Sequence, residues 1–83
     1  MATVTGTKTV TATAAALFAG ATELTGRTFL YARNMDDVMS CGINGRTVEA
    51  GEEIKLRFSG VGTQTVLAQS NGRAVQVEVQ EVA

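Results

Sequence analysis

The sequence predicts an all-β domain: a single compact antiparallel β-sandwich or barrel of about seven short strands, with an extended N-terminal arm. Three observations carry this. Turn signals recur roughly every 8–12 residues, the spacing of short strands joined by tight loops. Between them, several segments alternate apolar and polar side chains with the two-residue period of a strand. The composition also leans towards β-branched residues, 12 Thr and 10 Val in 83 positions, which suit a pleated surface. A chain this short makes one domain. Residues 1–13 are expected to form the arm or an edge strand, and residues 14–83 the β domain.

The first segment places Thr at every second position from Thr3 to Thr13, so all six hydroxyls would line one side of a strand. The other face, Val4, Gly6, Lys8, Val10 and Ala12, is weakly apolar, which fits an extended arm or an edge strand better than a central one. Ala14 to Ala21 reads as strand or irregular structure, because Gly20 ends any helix too soon for stability. Thr25-Gly26-Arg27 punctuates. Arg27 to Arg33 follows as the strongest central strand, apolar on both faces in its middle. Asn34-Met35-Asp36-Asp37 is a turn whose side chains can bond their own backbone. Val38 to Ile43 is a strand closed by the tight turn Asn44-Gly45, and Thr47 to Glu49 leads into a second turn at Ala50-Gly51. Glu53 to Phe58 alternates most cleanly, with Ile54, Leu56 and Phe58 inward. Ser59 to Thr63 is a connection, and Gln64 to Gln69 a further strand. Asn71-Gly72 predicts a hairpin, since both positions of such a turn need positive φ. Ala74 to Val82 then alternates again, with Val75, Val77 and Val79 on one face.

Composition excludes several chemistries. There is no His, Trp or Pro, and Cys41 is the single cysteine. An internal disulfide is impossible, a Cys/His zinc site lacks its ligands, and a triad with a His base cannot be built. Seven basic and eight acidic residues leave a net charge of −1, whereas binding a phosphate backbone needs a basic surplus. The start of the chain carries no basic leader region, and the apolar stretch from Ala14 to Ala21 is far below the roughly 20 residues of a membrane span. The expectation is therefore no enzyme activity, no cofactor, no metal, no nucleic acid and no membrane, with synthesis in a cytoplasm.

Large apolar residues are few: five Leu, two Ile, three Phe and one Tyr. Small domains bury only about 60% of their unfolded surface, and a small sheet has edges to protect. Both points predict an oligomer, or docking onto a larger surface.

The candidate motifs resolve into structural roles. Gly26-Arg27, Gly45-Arg46 and Gly72-Arg73 could mark an anion or adhesion site, but a turn followed by a solubilising charge accounts for them. Asp36-Asp37 and Glu52-Glu53, with Glu49, lack the spaced oxygen ligands of a calcium loop and the cleft of a hydrolase. Gly60-Val61-Gly62 lacks the Lys-Ser/Thr of a phosphate loop. Cys41 fits a small buried thiol. Phe29, Tyr31 and Phe58 could stack bases, but without a basic surround they are expected in the core.

Three stretches taken together carry a resemblance. They are Leu24-Thr25-Gly26-Arg27-Thr28-Phe29-Leu30-Tyr31-Ala32-Arg33-Asn34, then Val48-Glu49-Ala50-Gly51-Glu52-Glu53-Ile54-Lys55-Leu56, then Val66-Leu67-Ala68-Gln69 leading into Val75-Gln76-Val77-Glu78-Val79-Gln80-Glu81-Val82. Their order and spacing resemble small structural virion proteins of tailed bacteriophages, over about residues 24–82. The resemblance implies a compact β domain on the capsid surface, most of all a head decoration or cement protein that binds the major capsid protein or other virion proteins. It would bridge neighbouring shell subunits against the pressure of packaged DNA. A homo-oligomer is expected, and a trimer would suit a threefold lattice position. The Thr-rich arm, with Thr3, Val4, Thr5, Thr7 and Lys8, is the expected partner contact, able to add a strand to another chain's sheet. Alternatives are a head–tail connector, neck or tail component, a receptor- or carbohydrate-binding β-sandwich, and a small enzyme. The second is poorly supplied with exposed aromatics, and the third lacks His and a cleft.

Overall fold

The last strand organises the molecule. In the computed structural model, which describes residues 2–60 and 64–83, Val75–Val82 (β8) turns Val75, Val77, Val79 and Glu81 inward, as the two-residue period requires. Around it the described chain forms β1 (Thr3–Val10), β2 (Ala15–Ala16), β3 (Phe29–Asn34), β4 (Cys41–Ile43), β5 (Arg46–Val48), β6 (Glu53–Arg57) and β7 (Leu67–Ser70). These make two antiparallel four-stranded sheets, the first in the order β1-β8-β3-β6 and the second in the order β2-β7-β4-β5. Inward residues of both sheets and of the segments flanking them form one apolar cluster that includes Val10, Leu17, Leu30, Ile43, Val66, Val75, Val77 and Val79. Cys41 lies in it with no exposure, and burial pushes its thiol up from the ordinary range. The chain is all-β, as the periodicity predicts.

Of the arm and edge-strand readings of the N-terminal segment, Thr3–Val10 takes the edge strand. β1 pairs with β8 over its whole length, from Thr3 opposite Val82 to Val10 opposite Val75. The segment Ala14–Ala21 contributes the two-residue β2 and then runs irregularly beneath β1. Its Ala19 carbonyl comes so close that a Cβ on Gly6 would sit 2.3 Å from the oxygen, so this strand position requires glycine. Lys8 reaches the same segment: its Nζ donates to the Gly20 carbonyl at 3.2 Å and lies 3.9 Å from the centre of the Phe18 ring.

Arg27 corrects the reading of the Gly-Arg pairs. It is not a solubilising charge but is buried, at 1% exposure, against Glu81, which has none. Arg27 Nη1 donates to Glu81 Oε2 at 2.8 Å and to the Leu17 carbonyl at 3.2 Å, while Nη2 donates to the Gln64 carbonyl. Among the described residues its Nε has no acceptor. Glu81 also accepts the backbone N–H of Ala19 at 2.6 Å and of Leu24 at 3.1 Å. One buried carboxylate thus ties the segment beneath β1 to the central strand. A buried charge is tolerable only when paired and hydrogen-bonded in this way.

Asn71-Gly72 also departs from expectation. Asn44 (φ 54°) and Gly45 (φ 78°) form the tight turn joining β4 to β5, but neither Asn71 nor Gly72 takes positive φ. Asn71-Gly72 joins β7 of one sheet to β8 of the other, so no hairpin forms there. Ser70 Oγ accepts the Gly72 N–H at 3.2 Å and donates to the Arg73 carbonyl, shaping the crossing. Arg73 then makes a two-pronged contact with Asp36, at 2.7 and 2.9 Å. Asp36 Oδ2 also accepts the N–H groups of Met39 and Val38, as expected of a turn aspartate. The Met39 N–H first, then Arg73 and the Val38 N–H, hold the Asp36 carboxyl down at about 2. Glu52 likewise spends its carboxylate locally, accepting the Glu49 N–H at 2.9 Å. Positions 61–63, which hold part of the Gly60-Val61-Gly62 motif and of the Ser59–Thr63 connection, lie outside the described residues.

Candidate interaction surface

The outer face of the first sheet is assembled row by row from the strand register. Thr3, Val82, Phe29 and Arg57 make one row, and Thr5, Gln80, Tyr31 and Lys55 the next. A third row is Thr7, Glu78, Arg33 and Glu53. Thr9 and Gln76 continue it on two strands, joined through their side chains at 2.9 Å. Thr3, Thr5, Thr7 and Thr9 are all exposed. The face is broad and polar, with charge concentrated on the β6 side.

Phe29 and Tyr31 belong to this face and not to the core. Leu30, Ala32 and Asn34 point inward from β3, while Phe29 and Tyr31 are half-buried on the opposite side. Arg57 lies over the Phe29 ring at 5.6 Å, a cation–π contact that covers part of the aromatic surface. Phe58 packs against the core, with Arg27 5.1 Å from its ring. Tyr31 borders a depression of about 390 Å³ with Thr5, Thr7, Glu78 and Gln80. Hydrogen bonding to Glu53, then burial, then the charges of Glu53 and Glu78, push the Tyr31 phenol up, against a smaller opposing effect of Arg33.

The five residues expected to contact a partner divide between two faces. Thr3, Thr5 and Thr7 lie together on the outer face, whereas Val4 and Lys8 turn inward onto the segment beneath β1. Thr9, Tyr31, Glu78 and Gln80 complete this outer set. Thr9 was legible in the threonine alternation. The others are brought in by strand order, which no local pattern encodes.

The edge of β1 has its own geometry. Ala2 and Ala83 exchange both backbone hydrogen bonds, at 3.2 and 2.9 Å. Antiparallel ladders alternate between bonded and non-bonded pairs. Val4, Gly6, Lys8 and Val10 therefore turn their N–H and C=O groups to β8, and Thr3, Thr5, Thr7 and Thr9 turn theirs away from the sheet. The Met35 N–H bond to the Gln76 carbonyl at 2.9 Å places the alternate β8 residues towards β3, in agreement.

Among the described residues no group of three or more His, Cys, Asp or Glu comes together to hold a metal, and no helix is long and apolar enough to cross a membrane. No family model, curated protein or solved structure matches the chain.

Proposed function

We propose that this protein is a non-enzymatic structural component of a tailed-bacteriophage particle: a decoration or cement protein on the head surface, bound to the lattice of the major capsid protein. The observation that carries this reading is the outer face of the first sheet, a wide polar surface of short threonine and glutamine side chains. The resemblance of residues 24–82 to small virion proteins points the same way. Such a face suits a partner that is itself a broad surface. Threonine is stiff at χ1 and loses little freedom on contact, so many small contacts can add up across a shell subunit boundary. Thr3, Thr5 and Thr7 would touch the shell, while Val4, Gly6 and Lys8 hold β1 in place from behind.

The test uses heads of the encoding phage that lack this protein. The purified chain should co-sediment with them to saturation. A Thr5→Arg/Gln80→Arg variant, whose substitutions lie side by side on the face, should bind at least tenfold more weakly with an unchanged far-UV circular dichroism spectrum. Absence of head binding by the wild-type chain overturns the proposal.

The depression beside Tyr31 favours a second reading, a receptor- or carbohydrate-binding module, because Thr5, Thr7, Glu78 and Gln80 offer donors and acceptors around one aromatic ring. Saturable glycan binding lost in Tyr31→Ala, without head binding, would select it.

A further inference from the structure

The four edges of the two sheets are not alike. β2 has two residues and β5 three, too short to template a partner strand. At β6, the Asn34 N–H bond to the Glu52 carbonyl at 2.9 Å fixes the alternation. Glu53, Lys55 and Arg57 therefore turn both their backbone groups and their exposed side chains outward. Charges placed there are a common guard against edge-to-edge pairing. β1 alone has none of these guards. It runs for eight residues, has no proline, and presents only threonines at the open edge. Its one charge, Lys8, is turned inward onto Phe18 and Gly20.

We propose that a second copy of this chain completes the sheet, its β1 lying antiparallel to the first about a two-fold axis through Gly6. The alternation permits this register. Thr3 would pair with Thr9 of the other copy and Thr5 with Thr7, each pair exchanging two backbone hydrogen bonds. The intervening positions match Gly6 with Gly6 and Val4 with Lys8, so no like charges meet. Cross-strand Thr–Thr pairs are favourable in antiparallel sheets. A foreign strand would gain the same backbone bonds but would not bring a threonine opposite each outward threonine of β1. The chain's own β1 is matched residue for residue.

Beneath the strand, the depression bordered by Val4, Gly20 and Leu24 in one copy would adjoin the one bordered by Lys8, Ala16 and Phe18 in the other. The result is an isologous dimer with a continuous eight-stranded outer sheet, in place of the threefold oligomer expected above. A ring of three would need two different complementary edges, and the remaining edges are short or charged. This inference stands on strand geometry and does not depend on the virion reading.

Sedimentation velocity of the full chain, from low micromolar to several hundred micromolar, tests it. A reversible dimer is expected. Thr5→Lys/Thr7→Lys, which sets lysines opposite one another across the axis, should weaken association at least tenfold. Thr7→Pro should do the same, since the N–H it removes points away from β8. In wild type, amide exchange at Thr3, Thr5, Thr7 and Thr9 should slow together as concentration rises. A monomer throughout the range, a trimer, or a dimer in which these amides stay unprotected overturns the proposal. If either variant fails to fold, the wild-type amide pattern still decides.

Discussion

Glu81 should be the most sensitive side chain in the molecule. It has no exposure, and it accepts from Arg27, Ala19 and Leu24 at once. Replacing it by alanine strands the buried Arg27 guanidinium, a loss of about 3–5 kcal/mol for a broken buried pair. It also strips the Ala19 and Leu24 N–H groups of their acceptor, at about 1–3 kcal/mol each where water does not enter. A chain of this length has about 4–12 kcal/mol of stability at roughly 0.05–0.15 kcal/mol per residue. Glu81→Ala should therefore be largely unfolded at 25 °C. Glu81→Gln keeps one acceptor oxygen and the shape, and should cost about 2–3 kcal/mol through the lost charge-assisted bond.

The assay is urea unfolding followed by far-UV circular dichroism, at one fixed protein concentration because association would shift the midpoint. Arg27→Met should be strongly destabilising alone. The Arg27→Met/Glu81→Gln pair should be less destabilised than the sum of the singles, with a coupling of about 1–3 kcal/mol. A Glu81→Gln protein within about 0.5 kcal/mol of wild type, or strict additivity of the two changes, would show that this ion pair does not anchor the segment beneath β1.

Other outcomes follow from single contacts. Gly6→Ala places a methyl group 2.3 Å from the Ala19 carbonyl oxygen, so the two backbones must separate, at about 1–3 kcal/mol in urea unfolding. Asp36 is held at about 2 in the fold against 3.8 ordinarily. Its contribution should be complete above about pH 4 and disappear as pH falls through about 2. Unfolding measured across that window should show a smaller pH slope in Arg73→Ala and a smaller one still in Asp36→Ala. Cys41, buried and with its thiol pushed up, should resist a thiol reagent at neutral pH and react at once in denaturing urea.

The parts of the fold that were legible are those with local causes. Asn44-Gly45 predicts a tight turn because positive φ is needed at both positions, and the φ values of 54° and 78° supply it. The β8 valines follow from period alone. Asn71-Gly72 carries the same two letters, but the chain there changes sheets, and sheet membership is set by partners far away in sequence. Glu81 sits where the β8 period points inward while its charge argues outward. Arg27, 54 positions earlier, resolves that conflict, and no local reading could pair them. Gly6 carries a local signal too, since a glycine inside a strand often marks a close backbone approach. Half of the candidate surface was visible in the threonine alternation. The rest, Tyr31, Glu78 and Gln80, comes together only because β8 lies between β1 and β3.

The proposed role as a head decoration protein is tested most directly by counting. Quantitative mass spectrometry of purified particles, with heads and tails separated, would compare copies of this chain with the major capsid protein. Copies comparable to the capsid protein, all in the head fraction, are expected. About a dozen copies or fewer at the neck or tail, the number a ring of subunits supplies, would contradict it, as would absence from the particle.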